Sequence, residues 1–361
     1  MSLIWCAISG HGYGHAAQMV PILNALEKRI PDLQVILRTT VPSAFFQDRL
    51  TVRWDHQAVQ QDVGCIQDGP LAIDIAATWA EHHRFHASWP ERLAEEVAAL
   101  RRVRPNLLLA NTAYLPLAAA TRVGVQPIAI ASLTWDEILS RLHSLLDPDQ
   151  QTLVSEIRKA YASADLALRI APGLPMPAFS EIQDIGPIAS PSPSQRDALR
   201  TMLGLEPHEK LVLVGFGGIP LRRLPWNEMQ SMQTFRFIVD GHVESLYSRV
   251  ISLTDVPLRF STVLASVDLV MTKPGYGTIT ECVANGTPVI YVRRYNFADE
   301  QPLVTYLLRY GRGVELNRED FQRGAWLHAL EEALALPAPA DPPPALTGAE
   351  QAAQCLASFC R

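Results

Sequence analysis

Paired cysteines are missing from this chain. Its 361 residues hold five, Cys6, Cys65, Cys282, Cys355 and Cys360. They are scattered, odd in number and without the C-x-x-C spacing of a zinc site, so they read as reduced thiols rather than a disulfide scaffold. Also missing is any apolar run near the roughly 18 residues of a membrane helix. The opening Leu3-Ile4-Trp5-Cys6-Ala7-Ile8 has no charged region, long apolar core or cleavage site of a signal peptide. The expected location is therefore the cytoplasm, with peripheral membrane contact still compatible. Positive charge is in short supply: 31 Lys and Arg against 37 Asp and Glu leave a net charge of -6, which argues against a nucleic-acid partner and its basic face. Metal-ligand clusters are scarce too. His82 and His86 stand at i and i+4 and share a helix face, but no third ligand or H-E-x-x-H arrangement accompanies them, and no metal is expected.

What remains is a globular composition, 48% hydrophobic and 19% charged, neither disordered nor repetitive. The length predicts two domains of ordinary size. The first is expected over residues 1–188, the second over 189–345, with a terminal helix over 346–361 that packs back on the first. The Pro- and Ser-rich stretch Gly186-Pro187-Ile188-Ala189-Ser190-Pro191-Ser192-Pro193-Ser194 is the linker candidate.

The second domain is organised around Lys273-Pro274-Gly275-Tyr276-Gly277-Thr278-Ile279-Thr280-Glu281, between the apolar runs 267–271 and 288–292. A short buried strand, a Gly-broken turn and a helix beginning near Gly277 aim backbone N–H groups and a positive helix end at one point. That point suits an anion. Thr278 can add a hydroxyl there, and Glu281, one turn on, can accept from paired sugar hydroxyls, so phosphate and diol together suggest a nucleotide. The alternative is a plain βα turn with Thr278 as N-cap and Glu281 completing a capping box.

The N-terminus repeats the strand–loop–helix order. Residues 3–8 read as a buried strand, followed by Ser9-Gly10-His11-Gly12-Tyr13-Gly14-His15 and an amphipathic helix to about residue 29. The glycine spacing is G-x-G-x-G rather than G-x-G-x-x-G, and no acidic residue closes the next strand, so a dehydrogenase is disfavoured. Residues 105–111 and 126–132 read as further buried strands. Ligands gather at the carboxyl ends of such strands, which makes Asn111 and Thr112 cleft candidates. Trp135 with Asp136 and Glu137 offers a sugar platform beside carboxylates, or a helix start capped by Thr134. Residues 51–78 are irregular and read as an acceptor-facing loop. The run from Leu211 to Gly218 restarts the strand–glycine pattern, with Gly217 and Gly218 permitting close approach to a ligand.

The stretch 268–301 resembles the donor-binding half of nucleotide-sugar glycosyltransferases of the GT-B fold. A closer resemblance is to the glycosyltransferase-like region preceding the kinase in plant L-arabinose kinases, with similar Gly-His-Gly-x-Gly-His, Thr/Ser-Trp-Asp and Thr-Lys-Pro-Gly-Tyr-Gly-Thr stretches. The resemblance implies an α/β, GT-B architecture: two Rossmann-like domains with parallel sheets facing a cleft. It implies that Gly275, Gly277 and Thr278 meet a diphosphate, with Gly217 and Gly218 across from it; Lys273, on its own chemistry, can neutralise that charge or serve as an ordinary surface lysine. Glu281 would hold the ribose, and Asp299, Glu300 and Gln301 would contact the sugar. Residues 254–258 would hold the base through backbone groups, and Arg293 and Arg294 are alternative cations for a phosphate or an acidic sugar. The Gly10, Gly12, Asn111, Trp135 and Asp136 side of the cleft would face the acceptor.

For a general base the resemblance points two ways. His15 aligns with the loop histidine of the lipid-linked GlcNAc transferase of peptidoglycan synthesis, and His11 with the catalytic histidine of plant-type UDP-glycosyltransferases. Either suits the task, since an unperturbed imidazole titrates near about 6.5. The expected activity is transfer from a nucleotide diphosphate sugar, a UDP-sugar favoured, to a hydroxyl acceptor without a metal or further cofactor. A nucleotide-sugar hydrolase or epimerase, and a non-catalytic sugar- or nucleotide-binding module, are the alternatives.

Overall fold

The computed structural model describes residues 2–142, 145–217 and 223–360. Seven strands come from the first half: β1 (Ser2–Ile8), β2 (Leu33–Arg38), β3 (Arg53–Gln57), β4 (Leu107–Asn111), β5 (Gln126–Ala131), β6 (Leu166–Ile170) and β7 (Ile182–Ile185). Six come from the second: β8 (Lys210–Val214), β9 (Phe235–Val239), β10 (Val250–Ser252), β11 (Leu269–Thr272), β12 (Val289–Tyr291) and β13 (Gly313–Glu315). The sheet orders are β3-β2-β1-β4-β5-β6-β7 and β10-β9-β8-β11-β12-β13. Every pairing is parallel.

Parallel strands need crossover helices on both faces, and the continuous apolar runs follow from that double covering. In β1, Ile4, Cys6 and Ile8 pack with Met19, Ile22 and Leu26 on one face, while Trp5 packs on the other with Leu100, Leu115 and Ile157. The second sheet is sandwiched in the same way, with Val212 and Met271 on one face and Leu213 and Val270 on the other. The Gly348–Leu356 helix returns to the first sheet, where Ala352, Ala353 and Leu356 join Ile22 and Leu26.

Strand order fixes where a ligand can sit. β1 lies between β2 and β4, and β8 between β9 and β11; at such reversals adjacent loops diverge and open a crevice at the carboxyl ends. The first crevice receives the 9–15 loop and Asn111, the second the 215–217 loop and Lys273. The halves also interlock. Phe297, from the loop after β12, is buried in the first half's core. Leu71, from the loop after β3, is buried in the second half's core. Tyr276 donates to the Ala171 carbonyl (2.8 Å) and accepts from the Ile188 N–H (2.9 Å), pinning the start of its helix to the chain that links the halves.

Candidate active site

In the first half the loop after β1 is held tightly. Gly10 has no alternative, since a Cβ there would lie 1.9 Å from Thr40 Oγ1. Gly12 takes φ 75°, a left-handed conformation that a side chain would strain. The Gly14–Glu27 helix follows, and the first N–H bonded back to the loop is that of Ala17, to the Tyr13 carbonyl (2.9 Å).

His15 sits in the opening turn, only 7% exposed. Its Nδ1 lies 2.9 Å from Asn111 Oδ1. The Asn111 amide donates to Gln18 Oε1 (3.1 Å), and Gln18 Nε2 donates to Ser132 Oγ (3.1 Å). Because the Asn111 nitrogen is committed to Gln18, its oxygen must accept, so Nδ1 of His15 carries the hydrogen and Nε2 the lone pair. Burial pushes the His15 pKa down to about 4, against an upward pull from Asn111. The imidazole is therefore neutral at pH 7 with an unshared lone pair. Thr112, beside it, holds φ 61°, a strained value for a β-branched residue, and its carbonyl accepts from Tyr161 Oη at 2.5 Å.

His11 is arranged differently. Its Nε2 is 3.0 Å from Gln67 Nε2, and its Nδ1 faces Gly64, where a Cβ would come within 2.4 Å. Both ring nitrogens are covered by the loop after β3. Burial is the main cause that pushes its pKa down to about 3, helped by the charges of His15, Lys273, Arg294 and His82. Asp62 anchors that same loop by accepting from Trp135 Nε1 (2.7 Å), the Ser9 hydroxyl and the Gly10 N–H, and burial still pushes its pKa up to about 6.

Trp135 and Asp136 do not form the expected sugar platform. Both are fully buried: Trp135 presents its edge to His11, with ring centroids 4.9 Å apart, and Asp136 pairs with Arg158 at 3.0 Å. Full burial keeps both side chains from a sugar in the crevice, although Asp136 Oδ1 has no partner. His82 is buried and His86 bonds to Glu156 (3.1 Å) and Tyr114 (3.2 Å).

In the second half the Tyr276–Asn285 helix starts one residue before the expected Gly277, with Gly275 as N-cap. Thr278 is thus inside the first turn, and the capping-box alternative does not apply. The first backbone bond back to the cap runs from the Ile279 N–H to the Gly275 carbonyl (3.0 Å). The N–H groups of Gly277 and Thr278 have no protein acceptor among the described residues, and neither does the Thr278 hydroxyl.

Lys273 stands at the end of β11. Its side chain makes no hydrogen bond or ion pair among the described residues, and burial pushes its pKa down to about 8. A Cβ on Gly217 would reach its Nζ at 3.7 Å, so the glycine there keeps this wall of the crevice open. Gly218 lies outside the described residues. Glu281 is likewise without a side-chain partner; burial pushes its pKa up to about 7, and the one opposing charge is Arg49 of the first half. Arg49 also lines a cavity of about 340 Å³ between the halves, together with Tyr13, Phe45, Asp48 and Arg259.

The 299–301 triplet divides three ways. Asp299 points inward with Oδ1 unpartnered, its pKa pushed up to about 7 chiefly by burial. Glu300, expected to contact the sugar, is instead fully buried and accepts from the Arg294 N–H (2.9 Å) and Nε (2.6 Å). Gln301 is exposed and tied to Arg293 (3.1 Å) and Thr305 (3.3 Å). Gln18, Asp62, Gly64 and Gln67 matter to the geometry and carry no sequence signature.

No protein-family model matches the chain. It is 27% identical over 343 residues to the L-arabinokinase of Arabidopsis thaliana, covering 91% of this chain and 32% of that protein, so it spans about a third of that relative's length. It is 26% identical over 295 residues to an uncharacterized glycosyltransferase of Methanopyrus kandleri, covering 76% of this chain and 83% of the relative. Among solved structures, UGT71G1 of Medicago truncatula in complex with UDP-glucose superposes with a TM-score of 0.62 at 13% identity, over 99% of this chain and 94% of that one. The architecture is GT-B.

Proposed function

We propose that this GT-B chain is a glycosyltransferase that moves a sugar from a nucleotide diphosphate sugar, a UDP-sugar favoured, to a hydroxyl acceptor. The observation that carries the reading is the opening of the Tyr276–Asn285 helix, where free N–H groups follow the half-buried Lys273, whose side chain has no partner among the described residues and whose charge is felt by His11 of the first half. Helix-end amides and a cation are what a leaving diphosphate needs. They stabilise the charge that develops as the bond from the anomeric carbon to the diphosphate oxygen breaks, and the reaction needs no metal. Glu281 accepts from the ribose hydroxyls, and the cavity lined by Arg49 and Arg259 gives the nucleoside room.

His15 is the general base. Its Nε2 lone pair takes the acceptor's proton while Asn111 fixes the tautomer and ring orientation. His11 holds the loop after β3 in place. The likeness to the Methanopyrus kandleri glycosyltransferase and to the UDP-glucose complex supports sugar-nucleotide chemistry. The neutral Asn111 behind His15 favours a second reading, a nucleotide-sugar-binding module without turnover, because an amide cannot balance an imidazolium as a carboxylate would.

The test is a thermal-shift screen of UDP, GDP, dTDP and ADP with their sugar conjugates. A ligand at one hundred times its dissociation constant stabilises the folded state by about 2.7 kcal/mol. A shift with one nucleotide, lost in Glu281→Ala, is the expected result. No shift with any of them removes the donor site. Binding without turnover in the presence of any acceptor selects the second reading.

A further inference from the structure

Arg294, on the loop after β12, is 9% exposed and fixed from three directions. Its N–H and Nε both donate to Glu300, and its guanidinium lies over the Phe297 ring at 4.0 Å. These contacts leave both Nη groups without a protein acceptor among the described residues. The charge of Arg294 bears on His11 and Cys65 from the first half and on Lys273 and Asp299 from the second. The guanidinium therefore stands where the base loop meets the donor half. Around it are a cation whose side chain has no partner among the described residues, Lys273, and one buried carboxylate oxygen with no partner, Asp299 Oδ1.

We propose that the sugar held at this point carries a carboxylate, so that the donor is a nucleotide diphosphate uronate whose acid group is taken by the Nη groups of Arg294. This rests on the donor-site reading above. Neutral sugar hydroxyls want acceptors as well as donors; Glu300 already accepts twice from Arg294, which leaves Asp299 Oδ1 as the one unpartnered carboxylate oxygen among the described residues here, set against several N–H donors. A neutral hexose meets the two free Nη groups with hydroxyls that make only single, uncharged bonds to them. A carboxylate matches the planar fork of the guanidinium with two parallel charge-assisted bonds. Lys273 and the helix amides remain for the diphosphate, and Asp299 for a sugar hydroxyl.

The experiment is calorimetric binding of UDP, UDP-glucose and UDP-glucuronate to the wild-type chain, repeated with the matched hexose and uronate pair of whichever other nucleotide the thermal screen selects. The uronate is expected to bind about tenfold or more tighter than the matching hexose. That ratio is expected to fall towards one in the double variant Arg294→Gln, Glu300→Gln, which removes both charges and so leaves neither buried alone, with the affinity for bare nucleotide diphosphate held within about twofold. A hexose that binds as tightly as its uronate, on a chain that binds the nucleotide, overturns the inference. A chain that binds no nucleotide diphosphate overturns the donor-site reading itself and the inference with it. The wild-type comparison decides even if the double variant fails to fold.

Discussion

The two crevices are built from the same elements, a buried strand, a glycine-broken loop and a helix start, yet their polar atoms are in opposite conditions. In the first half the groups that orient His15 are bonded to one another, although Gln67 Oε1, Thr134 Oγ1, Asp136 Oδ1 and both His82 nitrogens stand without a partner elsewhere in that half. His15, Asn111, Gln18 and Ser132 form one chain, Asp62 accepts three bonds, and Gln67 covers His11. In the second half Lys273, Glu281, Thr278 and Asp299 Oδ1 have no protein partner among the described residues. Burying a polar group without a partner costs free energy, and a ligand that supplies the partner recovers it. The satisfied crevice is a device for holding one imidazole in one orientation. The unsatisfied one is a surface whose bonds are completed by a ligand.

If that contrast is right, variants on the two sides fail in different ways. The largest effect belongs to His15→Ala, which should lower kcat by about 10²- to 10⁴-fold, the usual worth of a general base, with the nucleotide dissociation constant unchanged. His11→Ala should cost less, because its Nε2 is already engaged by Gln67 and its Nδ1 is turned to Gly64. Equal losses for the two would break the assignment of the base to His15.

Next comes Asp299→Asn, read as stability. Burial raises the Asp299 pKa from an ordinary value near about 4 to about 7, so between those values the folded state holds a proton that the unfolded state has released. Stability therefore falls as pH rises through that window, and the loss is complete above pH 7. At roughly 1.4 kcal/mol per unit, the ionised carboxylate costs the empty protein on the order of 4 kcal/mol. Asp299→Asn should raise Tm by several degrees at pH 8 and by little at pH 4. An equal shift at both would mean that Asp299 is ionised and paired. Glu281→Ala is smaller again: losing charge-assisted bonds to a diol, about 1.5 to 3 kcal/mol, should weaken nucleotide binding about 10- to 100-fold while kcat at saturating donor holds.

Much of this was legible in the sequence, for reasons that also mark where legibility ends. Strands buried on both faces write themselves as apolar runs, so β1, β2, β4, β5, β8 and β9 stand out. The edge strand β3, Arg53-Trp54-Asp55-His56-Gln57, does not, because exposure on one side admits polar residues, and the region reads as irregular. Short β13 is hidden in the same way. Within the site, loop positions followed from glycine spacing and the strand-end rule. Partner choice did not. That Glu300 binds Arg294 rather than a sugar, and that Gln67 rather than a substrate meets His11, depends on side chains 6 and 56 positions apart. Nothing in local pattern announces such pairs. Trp135 misled because an indole beside carboxylates looks the same in sequence whether it faces a cleft or, as here, the core.

The finest test of the comparison converts the first crevice's neutral partner into a charged one. Asn111 donates to Gln18 and accepts from His15; an aspartate there can only accept. In Asn111→Asp the Gln18 amide must turn so that its nitrogen donates to the new carboxylate, and the Ser132 hydroxyl, which can serve as donor or acceptor, turns to donate to the Gln18 oxygen. Every bond in the chain is then remade without a new residue. A carboxylate in contact with Nδ1–H favours the imidazolium, so the His15 pKa should climb from about 4 by about one unit or more. The acid limb of the kcat profile should move up with it, and turnover at neutral pH should rise as the base strengthens towards the working pH. The ring-proton titration of His15 by NMR reads the same shift whether or not the chain turns over. A climbing titration with a stationary rate profile would separate the histidine from the chemistry and favour the binding module. If neither moves, Asn111 is not the group that sets the tautomer, and the first crevice is not the prewired half.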